Sequence, residues 1–118
     1  MYARVEALRR ELDDRPIFVI LDSAHTYSHV LTELRMLHEI LRAGDVLVVE
    51  DMMAGSYGPS INSTWLRDPS LDGGPSRALA EFLLGHDGQY QALAGSYDYK
   101  HGFSQTTGGG RSGILGRL

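Results

Sequence analysis

The stretch that decides the fold is Ile17-Phe18-Val19-Ile20-Leu21-Asp22-Ser23-Ala24-His25-Thr26-Tyr27-Ser28-His29-Val30, answered by Gly44-Asp45-Val46-Leu47-Val48-Val49-Glu50-Asp51. Residues 17–21 are five consecutive apolar side chains rich in β-branched types. A run without alternation predicts a strand covered on both faces, as in parallel sheets. Residues 46–49 repeat the pattern. Between the two runs, Val30, Leu34, Leu37 and Leu41 fall on one helical face over residues 27–42, and Gly44 is placed to supply a left-handed stop. Strand, helix and strand with short connections predict a right-handed βαβ crossover, so the two strands run parallel and their carboxyl ends share one edge.

Working outward, residues 2–14 set Val5, Leu8 and Leu12 at helical spacing among charges, a surface helix that Arg15-Pro16 ends. Residues 52–74 hold glycines, prolines, serines and the single tryptophan, Trp65, without a sustained period. A loop of that length marks a candidate lid, with Tyr57 and Trp65 either covering a ligand or packing on the sheet edge. Pro75 opens a short amphipathic helix through Ala78, Leu79, Phe82 and Leu83, stopped at Gly85. Residues 89–97 and 103–107 read as strands, followed by a glycine-rich turn and the apolar Ile114-Leu115. The tail is expected to form an antiparallel hairpin on the sheet. Together these elements predict an α/β fold in a single domain spanning residues 1–118.

Composition narrows the function. The 118 residues fit one small domain and leave no room for a two-domain enzyme. Eleven Lys+Arg against fifteen Asp+Glu give a net charge of −4. That balance lacks a basic footprint for phosphate backbones or anionic lipid, so a small-molecule substrate or another protein is the expected partner rather than nucleic acid or a membrane. The absence of cysteine excludes disulfides, thiolate zinc sites and a cysteine nucleophile. No apolar stretch reaches the length of a membrane span, and Met1-Tyr2-Ala3-Arg4 continues without the apolar core of a signal peptide, which points to the cytoplasm.

Chemistry concentrates where the two strands end, Asp22 after the first and Glu50-Asp51 after the second. In open α/β sheets ligands sit outside the carboxyl ends of the strands. Neighbouring strands lie roughly 4.8 Å apart, so side chains at matching ends converge. Like charges held that close raise one another's pKa unless something positive lies between them, and Mg²⁺ with oxygen ligands resolves the conflict. The other reading is that Asp22 and Asp51 cap the structure that follows them. His25, three residues after Asp22, faces the same crevice and is suited to accept a proton near neutral pH. His29 lies four residues later, but no glutamate stands between the two histidines, so the zinc-protease pattern fails and His29 reads as a helix-start or solvent-facing residue. His38, His86 and His101 carry no spacing signal. Gly108 to Gly113 matches the dinucleotide fingerprint only formally, because five residues remain after it, too few for the phosphate-binding helix. No Gly-x-Ser-x-Gly elbow anchors a hydrolase triad.

Residues 17–51 resemble the cephalosporin hydroxylase family of S-adenosylmethionine-dependent methyltransferases and related sugar O-methyltransferases of antibiotic pathways. The aspartate-serine-x-histidine segment before a histidine-valine helix start, and the valine-valine-glutamate-aspartate strand end, carry the resemblance, which continues loosely through Gly74-Pro75 to Phe82. It implies a partial Rossmann-like methyltransferase sheet, these strands being the fourth and fifth with the closing hairpin after them. By motif position Asp22, Glu50 and Asp51 are then Mg²⁺ ligands, and His25 stands where such enzymes place the base that deprotonates the acceptor hydroxyl. The family binds S-adenosylmethionine mainly through a glycine loop after its first strand and an acidic residue after its second. The chain begins at the helix before the fourth strand, so neither element is in it. The resemblance thus implies the metal-side half of an active site, with a long strand edge that calls for a partner, either another copy or a separate amino-terminal half.

Two other readings compete. A non-catalytic α/β module that keeps the scaffold and the cation site differs from the enzyme in failing to bind S-adenosylmethionine. A phosphoacceptor receiver domain fits Val46 to Asp51 superficially, but only 67 residues follow Asp51, the next stretch is a loop, and Lys100 is the sole lysine.

Overall fold

The computed structural model describes residues 2–52, 54, 68–93 and 113–118. Its elements run α1 (Tyr2–Leu12), β1 (Phe18–Leu21), α2 (Tyr27–His38), β2 (Val46–Val49), a 3₁₀ turn (Pro69–Leu71), α3 (Gly74–Gly85), β3 (Tyr90–Ala92) and β4 (Gly113–Arg117). The four strands form one mixed sheet in the order β1-β2-β4-β3. β1 and β2 are parallel, with Leu21 beside Val49, so their carboxyl ends do share an edge. β4 pairs antiparallel with both β2 and β3.

Register assigns each strand residue to a face, because paired residues project to the same side. Val19, Leu47 and Leu115 align across the sheet, as do Leu21, Val49 and Gly113. Leu21, Leu47, Val49 and Leu115 join Val30, Leu34 and Leu37 of α2 and Ala78, Leu79 and Phe82 of α3 in one hydrophobic cluster, with Val19 and with Val5 and Leu12 of α1 packed against it. α2 and α3 meet beside the sheet. There the Tyr27 hydroxyl donates to the Glu81 carboxylate, and the Arg77 guanidinium lies 3.9 Å from the Tyr27 ring centre. Gly113 permits the close approach of β4 to α3, since a Cβ there would lie 2.9 Å from Leu79 Cδ2.

Several expectations change. β1 is covered on one face only among the described residues: Phe18 and Ile20, which point away from the helices, are 63% and 54% exposed. α2 stops at His38, although Leu41 is buried as its spacing predicted. The chain turns instead, with Ile40 N and Leu41 N both donating to Leu37 O. Gly44 is left-handed, φ 94°, but it serves the turn into β2 and donates its N–H to Arg117 O. α1 is not wholly a surface helix, because Arg9 is buried and pairs with Asp45. The hairpin partner of β3 is the segment around Ile114-Leu115. Residues 103–107, the glycines from 108 to 112, Tyr57, Trp65, Lys100 and His101 lie outside the described residues.

Candidate functional site

Two strand ends and one loop build the site. Glu50 N donates to Leu21 O at 3.0 Å, extending the parallel ladder one residue beyond β2 and holding the two ends level. The chain then turns at Asp51, whose φ of 54° lies in the left-handed region that aspartate tolerates better than most residues. Ala54 N donates to Asp51 O at 2.9 Å and closes the turn. On the other strand the chain leaves β1 through Asp22 and reaches α2 after His25. Thr26 caps α2, its Oγ1 accepting from His29 N at 3.4 Å.

These turns bring Asp22, His25 and Asp51 together: one ligand atom from each lies within 4.8 Å of the other two. His25 Nε2 is 3.1 Å from Asp51 Oδ2. The Asp51 carboxyl sits above the usual carboxylate range. Burial raises it first, the Asp22 carboxylate raises it further through its charge and a hydrogen bond, and Glu50 adds to this, while His25 opposes. Crowding of like charge, expected from the strand ends, is thus present in the geometry. Glu50 acts on Asp51 through its charge but does not belong to the three-residue group. The structure therefore groups two of the three acidic residues read from sequence with His25, which the sequence reading set in the same crevice.

Two carboxylates and an imidazole converging from separate elements make a donor set that suits a divalent cation. Carboxylate oxygen fits Mg²⁺ or Mn²⁺, and imidazole is commoner at transition metals. His29 does serve the start of α2 through its backbone, and its ring meets Glu33 and Ser23 as well. Sequence reading passed over Glu33. Its signal was an acidic residue at position i+3 from Val30, inside the apolar stripe of α2. His38 and His86, silent in spacing, have ring centres 4.1 Å apart, and His38 Nδ1 is 2.8 Å from the Tyr90 hydroxyl.

The model of the rhamnosyl O-methyltransferase/CmcI family matches residues 1–109. The chain belongs to this family. The cephalosporin hydroxylase family that residues 17–51 resemble is the same CmcI family. A rhamnosyl O-methyltransferase of Mycobacterium leprae is 34% identical over 109 residues, which cover 91% of this chain and 44% of the relative. Rhamnosyl O-methyltransferases of Mycobacterium tuberculosis and Mycobacterium bovis are 48% identical over 48 residues, covering 41% of this chain and 19% of each relative. The chain thus spans less than half the length of these curated relatives. No solved structure matches it. The mixed sheet fits an O-methyltransferase-like α/β fold, and no helix among the described residues is long and apolar enough to cross a membrane.

Proposed function

We propose that this chain supplies the cation-and-base half of an S-adenosylmethionine-dependent O-methyltransferase acting on a hydroxyl of a small molecule, with a sugar as the favoured class. The carrying observation is the convergence of Asp22, His25 and Asp51 at the carboxyl edge of two parallel strands. In this reading the sheet is the carboxyl-terminal half of a Rossmann-like methyltransferase, and the sugar preference follows the rhamnosyl acceptor in the relatives' names.

Asp22 and Asp51 would hold a divalent cation, with Mg²⁺ the first choice, and Glu50 is placed to tune Asp51 or to supply a further oxygen. Such a cation supplies Lewis-acid polarisation of the acceptor hydroxyl when bound. His25 takes the hydroxyl proton. Its Nε2–H donates to Asp51 in the tautomer that their contact implies, which puts the lone pair on Nδ1. Asp51 also orients the ring, the part a carboxylate plays beside a histidine base. The remaining task of the protein is alignment of hydroxyl oxygen, methyl group and sulfonium.

The test is the thermal shift produced by Mg²⁺. Wild type should be stabilised, and Asp22→Ala and Asp51→Ala should each lose that response while staying folded. An equal response in all three would defeat the site. Calorimetric titration with S-adenosylmethionine then separates the enzyme from a non-catalytic module, since a folded chain that binds Mg²⁺ but, paired with the remaining length of the family fold, binds no S-adenosylmethionine would be the module. We place that remaining length against β1, which has no strand partner on its outer edge among the described residues and whose Phe18 and Ile20 are exposed on one face.

A further inference from the structure

A second polar group adjoins the site through Ser23, the chain neighbour of Asp22. Glu33 belongs to the buried side of α2 with Val30, Leu34 and Leu37, and is 8% exposed. A carboxylate withdrawn from water is costly unless its oxygens are hydrogen-bonded. Ser23 Oγ supplies that bond, at 2.8 Å from Oε1 and 2.9 Å from Oε2. His29 Nε2 lies 3.1 Å from Glu33 Oε1 and 3.2 Å from Ser23 Oγ, closing a three-membered network.

The place of Ser23 in the chain gives this network its meaning. It follows Asp22 and precedes His25 by two residues, in a segment from 22 to 26 that belongs to neither β1 nor α2. The segment therefore has no regular backbone ladder to fix it, yet it carries two of the three converging groups. A surface His–Glu pair one helical turn apart needs no serine and no burial. Here the carboxylate is turned inward and grips the loop.

We infer that Glu33 is a positioning residue: through Ser23 it holds the Asp22–His25 segment in the conformation that gathers Asp22, His25 and Asp51. The inference rests on the reading of that group as a cation and base site. Neither Glu33 nor Ser23 touches the reacting atoms. Their contribution is preorganisation, because groups held by a supporting shell bind a cation without first having to be ordered.

Two measurements on the full chain decide it. Mg²⁺ affinity is read by calorimetry at a temperature where circular dichroism shows each variant folded. Removing an outer partner of a metal ligand typically weakens binding by about 10–100-fold. Ser23→Ala should therefore weaken Mg²⁺ by about tenfold or more, Glu33→Gln by a smaller factor, and Ser23→Thr should restore binding, since Ser23 is exposed enough to accept a methyl group. Long-range ¹H–¹⁵N NMR reads the His25 ring without metal: one dominant tautomer in wild type, an averaged signature in Ser23→Ala. Unchanged affinity and an unchanged His25 signature in both variants, even with a lowered Tm, would overturn the inference and leave Glu33 a purely structural residue. A wild type that ignores Mg²⁺ would defeat the cation reading instead, and the NMR comparison would still decide the positioning role.

Discussion

Asp45 shows how much one side chain can organise. It is 1% exposed and accepts from Ile17 N at 2.9 Å, from Arg42 N at 2.7 Å and from the Arg9 guanidinium. It thereby ties α1, the start of β1 and the turn into β2 together. Removing one member of a buried ion pair costs about 3–5 kcal/mol, because the other charge is left uncompensated. Asp45→Ala should lower the unfolding free energy by about that amount in urea titration, with the Mg²⁺ response retained in the folded fraction. Nothing local in the sequence foretells this, since Arg9 lies 36 positions away. Asp22 and Asp51 were legible for the opposite reason: Asp22 directly follows one apolar strand and Asp51 follows the other after Glu50, so pattern alone put them on one edge. Pattern could not choose between Glu50 and Asp51, because the choice follows from a left-handed turn at Asp51 that no spacing encodes. His38 carries a pH prediction. Burial holds its pKa below the usual 6.5, and the positive charges of His86 and Arg117 add to the effect, with Glu39 opposing. The folded state thus favours neutral imidazole. Its contribution is fully present above the unfolded pKa of about 6.5 and is lost as pH falls through the lower folded value. Urea titrations from pH 7 downward should show stability falling, and His38→Asn should flatten that slope; an unchanged slope would remove His38 as the cause.

At the scale of elements, α3 is seated against the site by a glycine. Gly74 has φ 63°, and a Cβ there would lie 2.0 Å from Ala54 O and 3.3 Å from His25 O. Backbone on both sides leaves no flexible side chain to yield. Gly74→Ala should lower stability by about 1–3 kcal/mol or more and shift amide resonances around His25, as two-dimensional NMR would show. Unaltered His25 resonances would contradict the packing. The same element was readable in sequence from Pro75 to Gly85, because proline, apolar spacing and a terminal glycine agree on one helix. α2 was readable at its start but not at its end. Leu41 keeps the apolar spacing while the backbone has already turned, since burial selects the side chain and hydrogen bonding selects the helix. β3 and β4 were the hardest, at three and five residues, too short for any period to stand out. They are defined by pairing with each other and with β2, which local sequence does not contain.

Among the described residues, the helices cover one face of the sheet, β1 has no strand partner on its outer edge, and two of its apolar side chains are exposed. The expectation of a strand buried on both faces is not met among the described residues, and the chain spans less than half the length of the curated relatives it matches. Ile20→Lys should change the stability of the isolated chain by no more than about 0.5 kcal/mol, as exposed substitutions usually do. It should abolish association with a polypeptide carrying the remaining family length, measured by light scattering after size-exclusion chromatography. Retained association would place the partner elsewhere, and association of wild type with itself alone would make a second copy the occupant. Whether Asp22 and Asp51 share a cation at the strand ends is read from a crystal structure grown with Mn²⁺ and recorded at the manganese absorption edge. We expect one anomalous peak at coordination distance, about 2.0–2.6 Å, from a carboxylate oxygen of Asp22 and one of Asp51. A map with no peak there, or with the two carboxylates turned away from each other, would contradict the account.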